Sequence, residues 1–330
     1  VLALTIRCVP LLVGVIGEVN QARRARGVGF SLVALVAPTV VRALRAAGVE
    51  VDVLFVNGRA SQLNYLVGFA RLWRQLALVR YDLIHAHYVF SGLIARSQRR
   101  LPIVQSFHAP GQMETYQGWL CKRLAPHVDA VIVTSADHKL RLGFDKAQVI
   151  PCGVDLELFR PQDQKEARHA VGWEAASRVM AWVGDPRPEK RVDLAYATMD
   201  ALRARRSDVE LKVVSRVPHA QIPAYLNAAD VLLLTSDHEG SPVIIKEAMA
   251  CNLPIVATKV GDVPEVLAGV DGCYLAEQMP EDLAAKVSMA LDLGQRTRGR
   301  EAIARLSTAE EARRLIVLYQ QVLDGNGQAG

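Results

Sequence analysis

The chain has 330 residues, of which 51% are hydrophobic and 22% charged, so it suits two packed domains and excludes a disordered or fibrous protein. Its net charge of +5 is a mild excess over this length and argues against nucleic-acid binding. The five cysteines lack metal-ligand spacing, and no apolar run reaches the roughly 20 residues of a membrane span. We therefore expect a cytoplasmic protein with reduced thiols.

Strand-like and helix-like segments alternate along the first half of the chain. Short apolar runs separated by amphipathic segments predict a parallel sheet covered by helices on both faces. The predicted strands are Val49–Val56, Tyr81–His87, Pro102–His108 and Asp129–Ser135.

The second half repeats this alternation after a break. The segment Ile150–Asp163 contains two prolines and one glycine and predicts a linker, with a plain surface loop as the simpler interpretation. A final amphipathic helix is predicted over Ser307–Leu323. The predicted strands between them are Arg178–Gly184, Val209–Ser215, Asp230–Ser236, Pro254–Thr258 and Cys273–Ala276.

Two Rossmann-like units therefore follow each other, and the predicted class is α/β with two doubly wound parallel-sheet domains. Ligands in such sheets bind beyond the carboxyl ends of the strands. His87, His108, Gly184 and Glu239 all lie at such ends, so the pattern predicts a site in a cleft between the domains. We expect domains at 1–155 and 156–306, followed by a C-terminal helical segment at 307–330.

The segment from Thr235 to Leu267 is the most informative part of the sequence. A buried strand ends there, and Gly240, Ser241 and Pro242 then supply a turn, a hydroxyl suited to a helix N-cap and a proline suited to a first helical turn. A helix start presents unpaired N–H groups and a positive dipole end, which together form a site for phosphate.

Two acidic residues, Glu239 and Glu247, accompany this predicted anion site. A carboxylate is a poor ligand for phosphate but a good acceptor for the hydroxyls of a ribose or sugar. The simpler interpretation is that both are solvated charges near a helix start, where acids are favoured. The pattern otherwise favours a sugar nucleotide as ligand.

The whole segment resembles the donor-site signature of retaining glycosyltransferases of GT-B fold in glycosyltransferase family 4, where two glutamates are separated by seven residues. The resemblance implies that Glu239 binds the sugar, that Glu247 binds the ribose, and that Gly240, Ser241 and Pro242 shape the loop meeting the diphosphate or sugar. It also implies that Ile150–Asp163 is the crossover between domains and that the last helix returns to the first domain.

The segment Val183–Arg191 resembles the family region in which an arginine and a lysine five residues later hold the diphosphate. Lys190 matches the lysine, whereas Asp185 stands at the arginine position. Arg187 or Arg191 is a candidate to replace the missing charge, and an ordinary loop cation is the alternative for Lys190 and Arg187. Gly184 belongs to the same predicted donor loop.

His108 matches the family histidine near the donor sugar, and His87 occupies another cleft position. A purely structural histidine is the alternative for both. No Ser, Cys and His residues form a triad by spacing. The resemblance implies that the leaving phosphate helps deprotonate the acceptor, with His108 and Glu239 as the candidate catalytic residues.

The resemblance covers about Arg42 to Leu323, and Gly27, Val28 and Gly29 are the only remnant of the family's glycine-rich N-terminal loop. The predicted activity is transfer of a sugar from a UDP- or GDP-sugar to a glycan or lipid-linked acceptor. The alternative is a catalytically silent sugar-nucleotide-binding or scaffold protein. A nicotinamide or flavin oxidoreductase is disfavoured because no G-x-G-x-x-G follows a strand with an acid downstream.

No metal site and no cofactor are predicted, since no Asp-x-Asp or His/Cys cluster falls at the cleft. Two arginine clusters are candidates for peripheral contact with an anionic membrane, although most such clusters are only solvated faces. They are Arg23, Arg24 and Arg26, and Arg296, Arg298 and Arg300.

Overall fold

The structure, a computed structural model, describes residues 31–34, 38–56, 63–108, 113–173 and 177–327. Its first sheet has six parallel strands in the order β2-β1-β3-β4-β5-β6. These strands are β1 (Ser31–Ala34), β2 (Glu50–Val53), β3 (Leu83–His87), β4 (Ile103–Phe107), β5 (Ala130–Val133) and β6 (Gln148–Val149). The accompanying helices are α1 (Pro38–Ala46), α2 (Leu63–Leu78), α3 (Val89–Ala95), α4 (Tyr116–Leu124) and α5 (Ala136–Leu142).

The second sheet has five parallel strands in the order β11-β10-β9-β7-β8. Its strands are β7 (Arg178–Val183), β8 (Val209–Val214), β9 (Val231–Leu234), β10 (Ile255–Thr258) and β11 (Cys273–Ala276). The helices of this half are α6 (Gln164–Val171), α7 (Val192–Arg203), α8 (Ile222–Ala228), α9 (Val243–Ala250), α10 (Val263–Leu267), α11 (Pro280–Asp292), α12 (Gly299–Ala302) and α13 (Thr308–Gly327).

Two parallel-sheet α/β domains are thus confirmed, and each predicted strand is present within its expected segment. Most are shorter than predicted, and for β5 and β9 this is because the predicted bounds include flanking polar residues such as Ser135 and Ser236. Two strands were missed. β1 lies in an apolar stretch without clear alternation, and β6 is two residues long with both side chains exposed, so neither shows a period-two pattern.

The predicted linker is not a surface loop. Val154 and Phe159 are fully buried in the core of the second domain. Val154 forms a parallel bridge with Ser307, where the chain crosses back. A Cβ at Gly153 would lie 2.8 Å from the Ser307 carbonyl oxygen, so only glycine fits between the two crossing segments. The two interdomain passages therefore form one packed junction.

Helix α13 packs on α1 across one face of the first sheet. Leu315, Leu318 and Tyr319 are buried against Val40 and Leu44 in a single apolar cluster. The C-terminal helix therefore lies on the first domain, while the domain limits at 155/156 and 306/307 stay predictions. Among the described residues, no helix is long and apolar enough to cross a membrane.

Candidate functional site

A cluster of three histidines lies at the carboxyl ends of β3 and β4. The parallel register pairs His87 with Ser106, which brings the two strand ends side by side. His87 Nδ1 lies 2.6 Å from His108 Nε2, and the two rings are stacked. His85 is held from both sides, with Nδ1 2.6 Å from the Tyr319 hydroxyl and Nε2 2.7 Å from Ser106 Oγ.

These imidazoles are neutral at physiological pH. Burial lowers the pKa of His108 to about 4 and that of His85 to about 3, and the pKa of His87 lies well below its usual value for the same reason. A neutral imidazole has one donor and one acceptor nitrogen, so the bond between His87 and His108 links their tautomers. The predicted catalytic His108 is thus a neutral hydrogen-bonding group backed by a second histidine.

Tyr88 follows this cluster in a strained conformation. Its φ of 63° is unfavourable for a non-glycine residue, and such strain is found preferentially at functional sites. Burial and the nearby Cys152 raise the pKa of Tyr88 to about 12, whereas the charge of Arg187 opposes this shift.

On the donor side, Lys190 and Glu239 are brought together from two loops. The loops follow β7 and β9, which are neighbours in the sheet. Lys190 Nζ lies 2.5 Å from Glu239 Oε1, and Ser236 Oγ donates to the same oxygen at 2.7 Å. A lysine has three N–H donors, so this pair leaves the ammonium able to bind a further acceptor.

The backbone of the β7 loop is fixed by Thr235 at the end of β9. Its hydroxyl lies 2.8 Å from the carbonyl oxygens of both Lys190 and Arg191, and it accepts from Trp182 Nε1 at 3.0 Å. Gly184 starts the loop, and its N–H donates to the Val214 carbonyl at 3.0 Å. Lys190 is therefore held in place by contacts that sequence spacing does not show.

The two arginines proposed to replace the missing family arginine differ in their contacts. Arg191 adopts a left-handed conformation and pairs with Asp193 at 2.9 Å and with Asp237 at 3.1 Å. Arg187 pairs with Glu189 at 3.0 Å, but its Nε is buried without a hydrogen-bond partner. Of the two, Arg187 is thus the one with a buried N–H that has no partner, and its role as the second cation of the predicted donor site stays a prediction.

The predicted role of Ser241 as a helix cap is wrong. Helix α9 begins at Val243 with Pro242 as its N-cap residue, and no side chain caps it. Ser241 Oγ instead donates to Asp262 Oδ2 at 2.6 Å and accepts from Lys246 Nζ and from the Cys152 N–H. The Ser241 hydroxyl thus bonds to a buried ion pair and to the backbone of the interdomain crossover, and these bonds hold the loop that carries Ser241 against the crossover.

That ion pair is formed by Lys246, whose side chain is fully buried, and Asp262 at 2.8 Å. The loop carrying Asp262 lies tightly against the donor loop. A Cβ at Gly261, whose φ is +56°, would lie 2.4 Å from the Gly240 carbonyl oxygen and 2.7 Å from that of Glu239. Only glycine fits there, and the Glu239–Ser241 backbone is consequently held by its neighbours.

Glu247 lies on α9 with its side chain 6% exposed, and it is bound by His219. His219 Nε2 lies 2.6 Å from Glu247 Oε1, and this contact raises the pKa of His219 above its usual value. The predicted ribose-binding carboxylate is therefore oriented by a histidine that the sequence reasoning missed.

Four further residues at the site were also missed. No spacing motif identifies them, because each gains its role from a partner distant in the sequence. They are Tyr88, Thr235, Lys246 and Asp262. Among the described residues, no three His, Cys, Asp or Glu side chains form a group suited to a metal ion. Metal independence stays a prediction.

The second predicted membrane-contact cluster is largely structural. Arg296 donates to the carbonyls of Leu226 and Asn227. Arg300 donates to carbonyls of the crossover and of α9, including Phe159 at 2.6 Å and Ala250 at 3.2 Å. These guanidiniums satisfy backbone groups inside the second domain. The other cluster, Arg23, Arg24 and Arg26, and the remnant Gly27-Val28-Gly29 lie outside the described residues.

Two family models match this chain. The model described as Glycosyltransferase Family 4 matches residues 19–158, and the model described as Glycosyl transferases group 1 matches residues 183–292. The first match covers the domain that carries the histidine cluster. The second covers the donor loops and both glutamates.

Curated relatives carry a glycosyltransferase name. The D-inositol 3-phosphate glycosyltransferase of Segniliparus rotundus is 27% identical over 76% of this chain and 68% of its own length. The protein of the same name from Mycobacterium tuberculosis is 28% identical over 67% of this chain and 56% of its own length. The chain thus spans little more than half of the mycobacterial relative.

Solved structures share the architecture. A sucrose-phosphate synthase from Thermosynechococcus elongatus superposes with a TM-score of 0.75 at 20% identity, covering 90% of this chain and 100% of its own. Anabaena HepE, solved with UDP-glucose, superposes with a TM-score of 0.63 at 18% identity, covering 91% of this chain and 100% of its own. Together with the two family matches, this shows that the chain belongs to glycosyltransferase family 4, in the group 1 glycosyl transferases, and has the GT-B fold.

Proposed function

We propose that this enzyme is a retaining glycosyltransferase that moves a sugar from a UDP- or GDP-sugar to a hydroxyl of a glycan or lipid-linked acceptor. The observation that carries the proposal is the Lys190–Glu239 pair, formed between the loops that follow the neighbouring strands β7 and β9. Arg187 lies in the same loop as Lys190. Together these residues combine cations for a diphosphate with a carboxylate for sugar hydroxyls.

In the proposed reaction, the bond between the sugar C1 and the diphosphate oxygen breaks as C1 bonds to the acceptor oxygen on the same face. The acceptor proton passes to the departing phosphate oxygen, so no protein nucleophile is required. Lys190 and Arg187 stabilise the charge that develops on the leaving diphosphate. Glu247 binds the ribose hydroxyls, and Glu239 binds the sugar while orienting Lys190.

The first domain contributes neutral donors and acceptors. His108, backed by His87, follows the carboxyl end of β4, and its neutral imidazole is suited to hydrogen bonding with a sugar or acceptor hydroxyl. Domain closure over the donor would exclude water that otherwise competes as acceptor. The proposed compartment is the cytoplasm, where the buried Cys121 and Cys251 thiols remain reduced.

The alternative is a protein that binds a sugar nucleotide without turning it over. Asp185 favours it, because a carboxylate stands where the family places a diphosphate-binding arginine. The two proposals differ in one measurable quantity, the release of free nucleoside diphosphate.

The test is release of UDP or GDP from a panel of nucleotide sugars, beginning with UDP-glucose, with and without a chelator. We expect turnover to continue in the chelator. Lys190→Met and Glu247→Gln should each lower release by about 100-fold, the usual effect of removing one preorganised electrostatic contact. Lys259→Met, which removes an exposed lysine paired with Glu277, is the matched control and should retain wild-type release.

Donor binding measured by calorimetry separates the alternatives. Binding of a nucleotide sugar without release of UDP or GDP would establish the catalytically silent protein. Absence of both binding and release would refute the proposed donor site. Normal turnover by Glu247→Gln would show that the ribose contact is wrongly assigned.

A further inference from the structure

The outer surface of α2, α3 and α4 exposes large apolar side chains. These three helices lie side by side on the face of the first sheet opposite α1 and α13. Leu66 is 65% exposed, Leu78 54% and Trp119 58%. We refer to this surface as the α2–α4 face. Its exposed apolar residues are Leu63, Leu66, Val67, Trp73, Leu78, Leu93, Tyr116 and Trp119.

Helix α2 is apolar on both of its sides. Its inner side buries Gly68 and Leu72 against the core, as a surface helix should. Its outer side carries the leucines, Val67 and Trp73 where a soluble helix normally has charged and polar residues. An exposed apolar area of this kind marks an interaction surface.

The same face is strongly basic. Residues 63–128 contain eight arginines and lysines but only two acids, Asp82 and Glu114, although the net charge of the whole chain is only +5. Arg71 and Arg74 are exposed on the outer side of α2, among its apolar residues. Lys122 and Arg123 are exposed on α4, and the Arg123 guanidinium lies 5.1 Å from the centre of the Trp119 ring.

We propose that the α2–α4 face binds the surface of an anionic lipid membrane. Tryptophan and tyrosine favour the interface between headgroups and acyl chains, and leucine side chains gain by partial burial there. Arginines on the same face attract acidic headgroups while their aliphatic stems cover apolar surface. Helix α2 contains no acidic residue that would oppose such contact.

Charge and composition decide between this occupant and others. A second copy of the chain would bring one basic face against another, which like-charge repulsion disfavours. A nucleic acid would use the arginines and aromatic rings but would leave the leucines and Val67 in water. The mixture of aliphatic, aromatic and basic side chains matches a lipid surface.

This inference goes beyond the proposed function and does not depend on it, since membrane binding requires no turnover. If both hold, docking through the first domain would bring the acceptor side of the enzyme to a lipid-linked acceptor. The transfer assay and the binding assay below therefore fail independently.

The experiment is cosedimentation of the full chain with vesicles of phosphatidylcholine alone or with phosphatidylglycerol. We expect binding to the phosphatidylglycerol vesicles, weakened by salt. The double variant Arg71→Gln, Arg74→Gln should bind roughly 30-fold more weakly, at about fivefold per arginine. Leu66→Gln combined with Leu78→Gln should lose roughly tenfold.

The matched control is Leu140→Gln on α5, where the leucine is 81% exposed but lies outside the α2–α4 face. It should bind as the wild type does. All substituted residues are exposed, so circular dichroism should show unchanged folding. Equal binding to both vesicle types, or unaltered binding by both double variants, would overturn the proposal. So would binding of a single-stranded oligonucleotide, or self-association abolished by the same variants, in a chain that ignores vesicles.

Discussion

The two domains bring different kinds of polar group to the carboxyl ends of their sheets. In the first domain, His85, His87 and His108 are neutral and bonded to each other, to Ser106 or to Tyr319. In the second, the groups are ion pairs: Lys190–Glu239, Lys246–Asp262 and His219–Glu247. The difference suits a cleft in which one wall binds an anionic diphosphate and the other positions a neutral hydroxyl.

The strongest test of this contrast is the substitution Lys246→Met. It leaves Asp262 buried without its cation, and breaking a buried pair in this way costs about 3–5 kcal/mol of unfolding free energy. Urea denaturation measures the loss. Lys259→Met, at an exposed ion pair, should unfold at the wild-type urea concentration. Equal midpoints for the two variants would show that the buried pair contributes no more than an exposed one.

Glu311 on α13 accepts from the Gly153 N–H at the junction where the chain crosses between the domains, and it provides a pH test of that junction. Burial raises its pKa to about 7, although the Gly153 N–H and Lys246 favour its ionised form. A raised carboxyl pKa means that the folded chain keeps a proton that the unfolded chain loses. The contribution of Glu311 to stability should therefore fall by roughly 3 kcal/mol as the pH rises from about 4.5 to about 7, and then level off. The buried His85 and His108, whose pKa values are lowered, act in the opposite direction, so the contribution of Glu311 is measured as a difference between variant and wild type.

Glu311→Gln lacks this contribution, so its unfolding free energy relative to that of the wild type should rise between about pH 5 and about pH 8, as measured by urea unfolding. The neighbouring Glu310 is only partly exposed and is bound to Arg313 and Arg314, which hold its pKa at about 2. Glu310→Gln is accordingly the control and should keep the wild-type pH profile over this range. A stability difference between Glu311→Gln and the wild type that is the same at both pH values would refute the shifted carboxyl.

The histidine cluster should affect kcat without making kcat depend on pH near neutrality. Because the pKa of His108 is about 4, its imidazole stays neutral between about pH 6 and pH 8. His108→Asn should lower kcat by about tenfold while leaving the shape of the kcat profile over that range unchanged. A change of kcat with pH in this range that disappears in the variant would show that His108 titrates, so that the first-domain side of the cleft is not neutral.

The smallest effect is expected at His219. Its pKa is raised mainly by Glu247, with Arg42 and Asp155 acting in opposite directions nearby. The ion pair therefore stabilises the fold below about pH 6.5 and is lost as the pH rises through the raised pKa. His219→Gln should raise the donor KM a few-fold at about pH 6 and match the wild type at about pH 9. A ratio of variant to wild-type donor KM that is the same at both pH values would contradict this assignment.

The sequence pattern predicted more of the fold than of the site. Apolar periodicity was sufficient for nine strands, because a buried parallel strand is a nearly continuous hydrophobic run whatever it pairs with. It missed β6, which is exposed, and it did not indicate that Val154 and Phe159 are buried within the predicted linker Ile150–Asp163. Ser241 was assigned to a cap because local chemistry allowed it, whereas Lys246 and Asp262 engage it instead.

By itself, the sequence determined the parallel α/β class and the positions of Lys190, Glu239 and Glu247 at strand ends and on a helix, since these follow from local spacing. The tertiary structure alone decided their partners. His219 reaches Glu247 only when distant segments of the second domain pack together, and Glu311 reaches Gly153 only where the chain crosses back between the domains. Protonation and orientation depend on burial and on contacts between distant segments, and neither is encoded in the spacing of residues along the chain.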